Sequence, residues 1–136
     1  AWNEYKANGY KDTANVKCKD GYLHEDGEKS YCGIYPEQMF ETMLELGSTK
    51  ATFCGHDHIN NVILEYKGIS LVYGMSIDYL AYPDLNGKGA QRGCTVIELA
   101  EDGSLESITL ENYYQDKYVN PEKEAVTMQQ LNEEFN

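Results

Sequence analysis

The stretch TKATFCGHDHINNVILEYKGISLVY, residues 49–73, decides the fold of this chain. It opens on a short apolar run over 49–54, which predicts a β-strand that stops at Gly55. Two more apolar runs follow, at 62–66 and 69–73, and a Lys-Gly dipeptide joins them. A two-residue connection that contains glycine is typical of a β-hairpin. The stretch therefore predicts a strand, a loop and a hairpin, in that order.

Regular patterns continue on both sides of this stretch. Residues 36–46 begin with proline, place apolar side chains three and four positions apart, and are followed by Gly47. Proline at the start and glycine just past the end favour a helix. Residues 93–100 and 105–110 are apolar runs on either side of a Glu-Asp-Gly-Ser turn. We expect them to form a second hairpin.

The patterns divide the chain into three parts. Residues 1–35 are polar and show neither sustained alternation nor a helical stripe, so we expect an irregular N-terminal segment, in which residues 1–10 could hold a short helical turn. Residues 36–118 hold the predicted helix and strands. Residues 119–136 begin with Asn120 and Pro121, an N-cap followed by a residue suited to the first helical position, and predict a C-terminal helix.

The charge of the chain limits the classes of partner. The sequence has 23 acidic and 11 basic residues, a net charge of −12, and the excess of acid is greatest over residues 98–136. Such a surface repels a nucleic-acid backbone and an anionic lipid surface. No run approaches the roughly 18 apolar residues of a membrane-spanning helix. We therefore expect no nucleic-acid partner and no membrane span.

The 4 cysteines leave the redox compartment open. No CxxC pair occurs, which excludes a zinc ribbon or a thioredoxin-type site. Cys54 and Cys94 lie in apolar runs, and we expect them to be buried as small hydrophobic side chains. Cys18 and Cys32 flank a polar loop and could form a disulfide.

Two of the 3 histidines, His56 and His58, follow the first apolar run in the segment FCGHDHINN. A strand brings this segment to the rim of a sheet, where Gly55 lets the backbone turn. The two imidazoles can then present metal ligands, since neutral imidazole binds zinc, iron and manganese. Asp57 between them is expected to accept a hydrogen bond from a ring N–H or to face water. His24 is expected to lie in a solvated loop.

The chain resembles the C-terminal part of calcineurin-like metallophosphoesterases, in the branch near purple acid phosphatases. The resemblance runs from Thr49 to about Tyr114, and the predicted helix at 36–46 corresponds to the helix before the GHxH loop of that family. The motifs that carry it are the GHDHINN loop, the hairpin that follows, the region of Tyr82, Gly89 and Arg92, and the closing strand pair with its EDGS turn.

The resemblance implies a set of site residues. His56 would bind one ion of a dinuclear pair, and His58 would bind the other. Asp57 and Asn60 would lie near the site without an assigned role. Arg92, the only arginine, would either clamp a phosphate or form a buried ion pair beside the site. No residue of this chain is assigned a catalytic role.

The resemblance also implies the fold and the reaction. The intact enzyme would be a four-layer αββα sandwich that hydrolyses phosphomonoesters or phosphodiesters with two ions of zinc, iron or manganese. Its substrate would be a phosphorylated small molecule or a phosphoprotein. This chain would supply an α/β part of the sandwich, mainly one antiparallel or mixed sheet with flanking helices.

The resemblance is incomplete, because further ligand motifs of the forms DxH, GDxxD and GNH do not occur in the sequence. The chain also opens on Ala1 instead of methionine. We therefore expect a C-terminal fragment of a phosphoesterase that is inactive alone and holds no ion or one ion.

Two other hypotheses stay open. The chain could be an independent binding module that forms a homodimer through its sheet edges. It could also hold a single ion on His56, His58 and a third ligand, which would be local or from a symmetry-related copy.

Overall fold

The computed structural model describes residues 1–31, 38–77 and 93–111. Within these ranges the chain is a mixed α/β structure with two sheets. Its elements in chain order are α1 (Trp2–Ala7), β1 (Val16–Tyr22), α2 (Met39–Leu46), β2 (Ala51–Cys54), β3 (Asn61–Tyr66), β4 (Ile69–Tyr73), β5 (Cys94–Leu99) and β6 (Leu105–Glu111).

The larger sheet has four strands in the order β1-β3-β4-β2. β3 pairs antiparallel with both β1 and β4, whereas β2 pairs parallel with β4. The hairpin predicted over 62–73 is confirmed as β3 and β4. Its two turn residues, Lys67 and Gly68, have φ angles of +49° and +83°. Positive φ at both central positions is the condition of a type I′ turn, whose twist matches that of the flanking strands.

The second sheet is the antiparallel pair β5 and β6, which confirms the second predicted hairpin. Ala100 donates its N–H to the carbonyl of Ser104 at 2.9 Å and closes the turn. Gly103 in that turn has a φ of +81°, which a residue with a Cβ rarely adopts. The sequence pattern and the turn chemistry therefore agree here.

A core of buried apolar side chains lies between α1 and one face of the four-stranded sheet. Its members come from the helix, the first strand and the hairpin: Trp2, Val16, Leu23, Val62 and Leu64. The Trp2 ring meets the Tyr22 ring edge to face, with 5.0 Å between the ring centroids. The N-terminal segment is therefore packed onto the sheet through an aromatic contact.

The expectation of an irregular segment over residues 1–35 is wrong for part of its described range, because β1 lies within it, whereas the short helical turn expected within residues 1–10 is confirmed as α1. The sequence pattern does not predict β1, for two reasons. Only Val16 of this edge strand is buried, so the strand lacks an apolar face of its own. A register shift between Cys18 and Asp20 also breaks the alternation on which a strand prediction depends.

The expectation that Cys54 and Cys94 are buried is also wrong, since both are exposed free thiols. Cys54 is the last residue of β2, the edge strand of the larger sheet. Cys94 opens β5, whose sheet has only two strands within the described residues. Cys18 is a free, half-buried thiol, and Cys32 lies outside the described residues, so the disulfide stays a prediction.

The helix predicted over 36–46 is confirmed as α2 over its described part, and it ends at Gly47 with a φ of +68°. Phe40 of this helix contacts the ring of Tyr66 on β3, with 5.3 Å between centroids. Arg92 and the helix predicted over 119–136 lie outside the described residues. None of the helices in the described part of the chain is long and apolar enough to cross a membrane.

Candidate metal-binding site

The GHDHINN loop connects the end of β2 to the start of β3, as the sequence predicted. Its side chains alternate in burial: His56 and His58 are exposed, whereas Asp57 between them is only 5% exposed. Ile59 follows as one of the most buried side chains of the structure. The loop therefore directs both imidazoles outward and is anchored by the residues between and after them.

The backbone of His56 has a φ of +82°. A positive φ is uncommon for a residue with a Cβ, and such residues concentrate at functional sites, where the surrounding contacts hold the strained conformation. The contacts that hold this loop come from Asp57 and Asn60.

The Asp57 carboxylate is the buried anchor of the loop. Its Oδ2 accepts three hydrogen bonds, from the Tyr73 hydroxyl at 2.7 Å, the Asn60 amide at 3.0 Å and the backbone N–H of Tyr31 at 3.0 Å. A buried carboxylate is costly unless such donors satisfy it. Burial of the Tyr73 phenol raises its pKa, and the hydrogen bond to the Asp57 carboxylate adds to that shift. Of the two alternatives expected for Asp57, the one in which it faces water is therefore wrong.

Asn60 ties the loop to the N-terminal segment. Its side chain is 1% exposed. Its Oδ1 accepts the backbone N–H groups of His24 and Glu25 at 2.9 and 3.1 Å. Its Nδ2 donates to the carbonyl of Lys29 and to Asp57 Oδ2, at 2.9 and 3.0 Å. Both polar atoms of the amide are thus fully used.

His24 lies beside this loop, and the expectation of a solvated loop residue is wrong. Its Nε2 lies 2.8 Å from Asn61 Oδ1, and its ring is half buried against the ring of Tyr22. Burial lowers the pKa of His24, and the Asn61 hydrogen bond partly opposes that shift. His24 is therefore part of the support beneath the loop.

An apolar groove of about 510 Å³ borders the loop at His56. Its wall includes Trp2 of α1 and Leu71 of β4, and Tyr31 and Tyr73 near the loop. Ser30 lies 2.9 Å from the Tyr73 hydroxyl and joins the same network. The exposed His56 imidazole thus lies where an apolar groove meets a polar loop.

The described residues fit a metal ion in part. His56 and His58 are exposed imidazoles of a type that binds zinc, iron or manganese. Within residues 1–31, 38–77 and 93–111, no group of three or more His, Cys, Asp or Glu side chains could hold an ion. Because a metal site needs at least three protein ligands, further ligands would have to come from outside these ranges.

Sequence reasoning thus located the loop but missed its support. Asn60 was expected near the site without a role, and His24, Tyr31 and Tyr73 were not connected to it. These contacts join residues 16 to 36 positions apart in the sequence. The only local signal is a pair of adjacent asparagines where the loop enters β3, a position where a polar side chain must find partners or stay exposed.

Part of the chain is similar to two proteins of Arabidopsis thaliana named as phosphatases. It is 37% identical over 51 residues to "Probable inactive purple acid phosphatase 28", an alignment that covers 38% of this chain and 13% of that protein. It is 44% identical over 43 residues to "Probable inactive purple acid phosphatase 29", which covers 32% of this chain and 11% of that protein. These partial matches support a distant relationship to purple acid phosphatases.

No protein-family model matches the chain, and no solved structure matches it.

Proposed function

We propose that this chain is the C-terminal part of a dinuclear-metal phosphoesterase, in which His56 and His58 each supply an imidazole to one of two ions. The observation that carries the proposal is the alternation in the loop, with two exposed histidines on either side of a buried aspartate. The partial similarity to proteins named as purple acid phosphatases agrees with it.

The ions would be zinc, iron or manganese, and the remaining ligands would come from residues outside the described ranges. Metal ions in phosphoesterases polarise the phosphoryl group and lower the pKa of a bound water. The described residues hold the two imidazoles outward on a loop fixed by Asp57 and Asn60. Because the sequence lacks the further ligand motifs DxH, GDxxD and GNH, the chain alone is proposed to be inactive.

The proposed fold of the whole domain is a four-layer αββα sandwich, to which the described sheets and helices contribute a part. The substrate would be a phosphorylated small molecule or a phosphoprotein. The net charge of this chain, −12, disfavours a nucleic-acid substrate, because an acidic protein surface repels the phosphate backbone.

The names of the two relatives call them probably inactive, so metal binding and hydrolysis are separate questions. The experiment therefore measures both in the complete gene product that contains this chain. Metal content is determined by mass spectrometry, and hydrolysis is assayed with p-nitrophenyl phosphate and its diester. If the protein holds metal but hydrolyses neither substrate, the site is retained and the reaction is lost.

The ligand assignment is tested with His56→Ala and His58→Ala, and each variant is expected to lower the metal content. The third histidine provides a comparison, because His24→Ala removes a partly buried hydrogen bond that supports the loop but no proposed ligand, and it should lower the metal content less than either loop variant does. The proposal fails if both loop variants keep the wild-type metal content.

Self-association is a second candidate, which the second sheet favours. Val96, Ile97 and Leu99 of β5 are exposed, with Leu99 at 61%. Exposed apolar strands invite pairing with another copy. Sedimentation of the chain as a dimer would support this candidate, and a monodisperse monomer at high concentration would exclude it.

A further inference from the structure

The Asp57 carboxylate lies between two exposed histidines but is itself buried and has three donors on one oxygen. Burial of a carboxylate is costly, and the three donors offset that cost only while the loop keeps the conformation that brings them together. This one is held between the end of β4, through Tyr73, and the segment before α2, through Tyr31. It therefore fixes the middle of the loop to two separate parts of the chain.

The position of this anchor determines where its neighbours point. Asp57 is buried in the loop, whereas the residues directly before and after it are exposed. The φ of +82° at His56 marks the point where the backbone accommodates the turn. The strained φ is maintained because the contacts on either side over-determine it.

Asn60 closes the loop from its other end. Its backbone N–H donates to the Asp57 carbonyl at 3.2 Å, and its side chain donates to Asp57 Oδ2. The segment 57–60 is thus a closed ring of hydrogen bonds, and Tyr73 is its link to the sheet. Loss of the Tyr73 hydroxyl would leave the carboxylate in place but release it from β4.

We infer that Asp57 is a positioning residue, which acts with Tyr73 to hold the His56 and His58 imidazoles in the geometry that a metal ion requires. The inference rests on the proposed function for its metal, but the conformation of the loop can be tested without one. Residues that orient metal ligands typically change metal affinity by about 10- to 100-fold when they are replaced.

The experiment uses four variants of the complete gene product. Asp57→Ala removes the anchor, and Asp57→Asn keeps an oxygen that can accept the same bonds. Tyr73→Phe removes only the hydroxyl donor. Tyr66→Phe is the matched control, because it makes the same change on the neighbouring strand β3, where the ring contacts Phe40 instead of the loop.

Two readouts separate positioning from general stability. The first is the amide spectrum of the protein labelled with ¹⁵N-histidine, with the His56 and His58 signals assigned from their alanine variants; a positive φ gives His56 a strong NH–Hα nuclear Overhauser effect. The second is Co²⁺ titration followed by visible absorption. Thermal unfolding is recorded in parallel.

The expected result is that Asp57→Ala and Tyr73→Phe shift the amide signals of both histidines and weaken the NH–Hα nuclear Overhauser effect of His56. Both variants should also reduce Co²⁺ affinity about 10- to 100-fold. Asp57→Asn should restore part of the affinity, and Tyr66→Phe should change neither readout. If Asp57→Ala does not fold, Tyr73→Phe decides. The inference is overturned if folded Tyr73→Phe and Asp57→Asn proteins keep wild-type histidine signals and Co²⁺ binding.

Failure of the proposed function gives a different pattern. In that case His56→Ala and His58→Ala would leave Co²⁺ binding unchanged, while the histidine signals would still respond to Tyr73→Phe. If Co²⁺ binding depends on both histidines but not on Asp57 or Tyr73, the metal site stands and the positioning role is excluded.

Discussion

A Cβ atom placed on Gly21 would lie 1.8 Å from the carbonyl oxygen of Asn61. Gly21 follows the register shift in β1 and pairs with Val62 of β3, and its φ is +74°. The absence of a side chain lets the two backbones approach at this point. This approach brings His24, three residues later, next to Asn60 and Asn61, which support the candidate site.

We predict that Gly21→Ala lowers the free energy of unfolding by about 2 to 4 kcal/mol, since it combines a left-handed backbone with a backbone clash. The measurement is urea denaturation followed by circular dichroism. Gly68→Ala is the control: its φ is +83°, but nothing lies within 4 Å of the added methyl. Its expected cost is about 1 kcal/mol. Equal losses in the two variants would show that the clash is relieved by a backbone shift.

The β3–β4 hairpin could be predicted because all its determinants are local. The apolar runs have the length of strands, and the Lys-Gly turn supplies the residues at positive φ. The GHDHINN loop could be located for the same reason, because a glycine directly follows a short strand. The position of the two exposed histidines was therefore accessible from the sequence.

The support beneath the loop could not be predicted, because it depends on contacts between distant segments. Nothing near Asp57 in the sequence indicates that Tyr73 and Tyr31 donate to its carboxylate. The strand β1 was missed because its register shift disrupts the pattern that identifies strands. In both cases tertiary pairing determines the structure and local preference does not.

Replacement of Asn60 by alanine is expected to destabilise the protein by about 3 kcal/mol, because it leaves the buried backbone N–H of Glu25 and the partly buried backbone groups of His24 and Lys29 without their partner. Chemical denaturation measures the loss. Asn8→Ala also removes an amide that donates to two backbone carbonyls, but at an exposed site. Its expected effect is about 0.5 kcal/mol. A comparable loss at both positions would contradict the role assigned to Asn60.

The hairpin turn provides a test of backbone strain at Lys67, whose φ is +49°. We predict that Lys67→Val lowers the free energy of unfolding by about 1 to 2 kcal/mol more than Lys67→Asn does, because asparagine tolerates the left-handed region and a β-branched residue does not. Both variants lose the ammonium group that lies 5.4 Å from the Tyr66 ring, so this contribution cancels. Thermal unfolding of the two variants side by side gives the difference, and equal midpoints would refute it.

The Glu28 carboxylate is expected to make stability depend on acid pH. It accepts hydrogen bonds from Tyr22 and Tyr10 and pairs with Lys6 at 3.0 Å. The hydrogen bond from Tyr22 is the main cause that lowers the pKa of Glu28 from 4.5 to about 2, and Lys6 adds to it. The folded state therefore binds this proton less readily than the unfolded state. The resulting stabilisation is present above about pH 4.5 and is lost as the pH falls toward about 2.

Glu28→Gln should remove this pH dependence. The difference in urea midpoint between the wild type and Glu28→Gln is expected to be smaller at about pH 3 than at about pH 7, because the stabilisation by the carboxylate begins to fall below about pH 4.5 and disappears only as the pH approaches about 2. Glu106→Gln, at an exposed position on β6, is the matched control and should show the same small difference at both pH values. If the difference in urea midpoint between the wild type and Glu28→Gln does not become smaller in acid, the contacts of the carboxylate with Tyr22 and Lys6 do not stabilise the folded state.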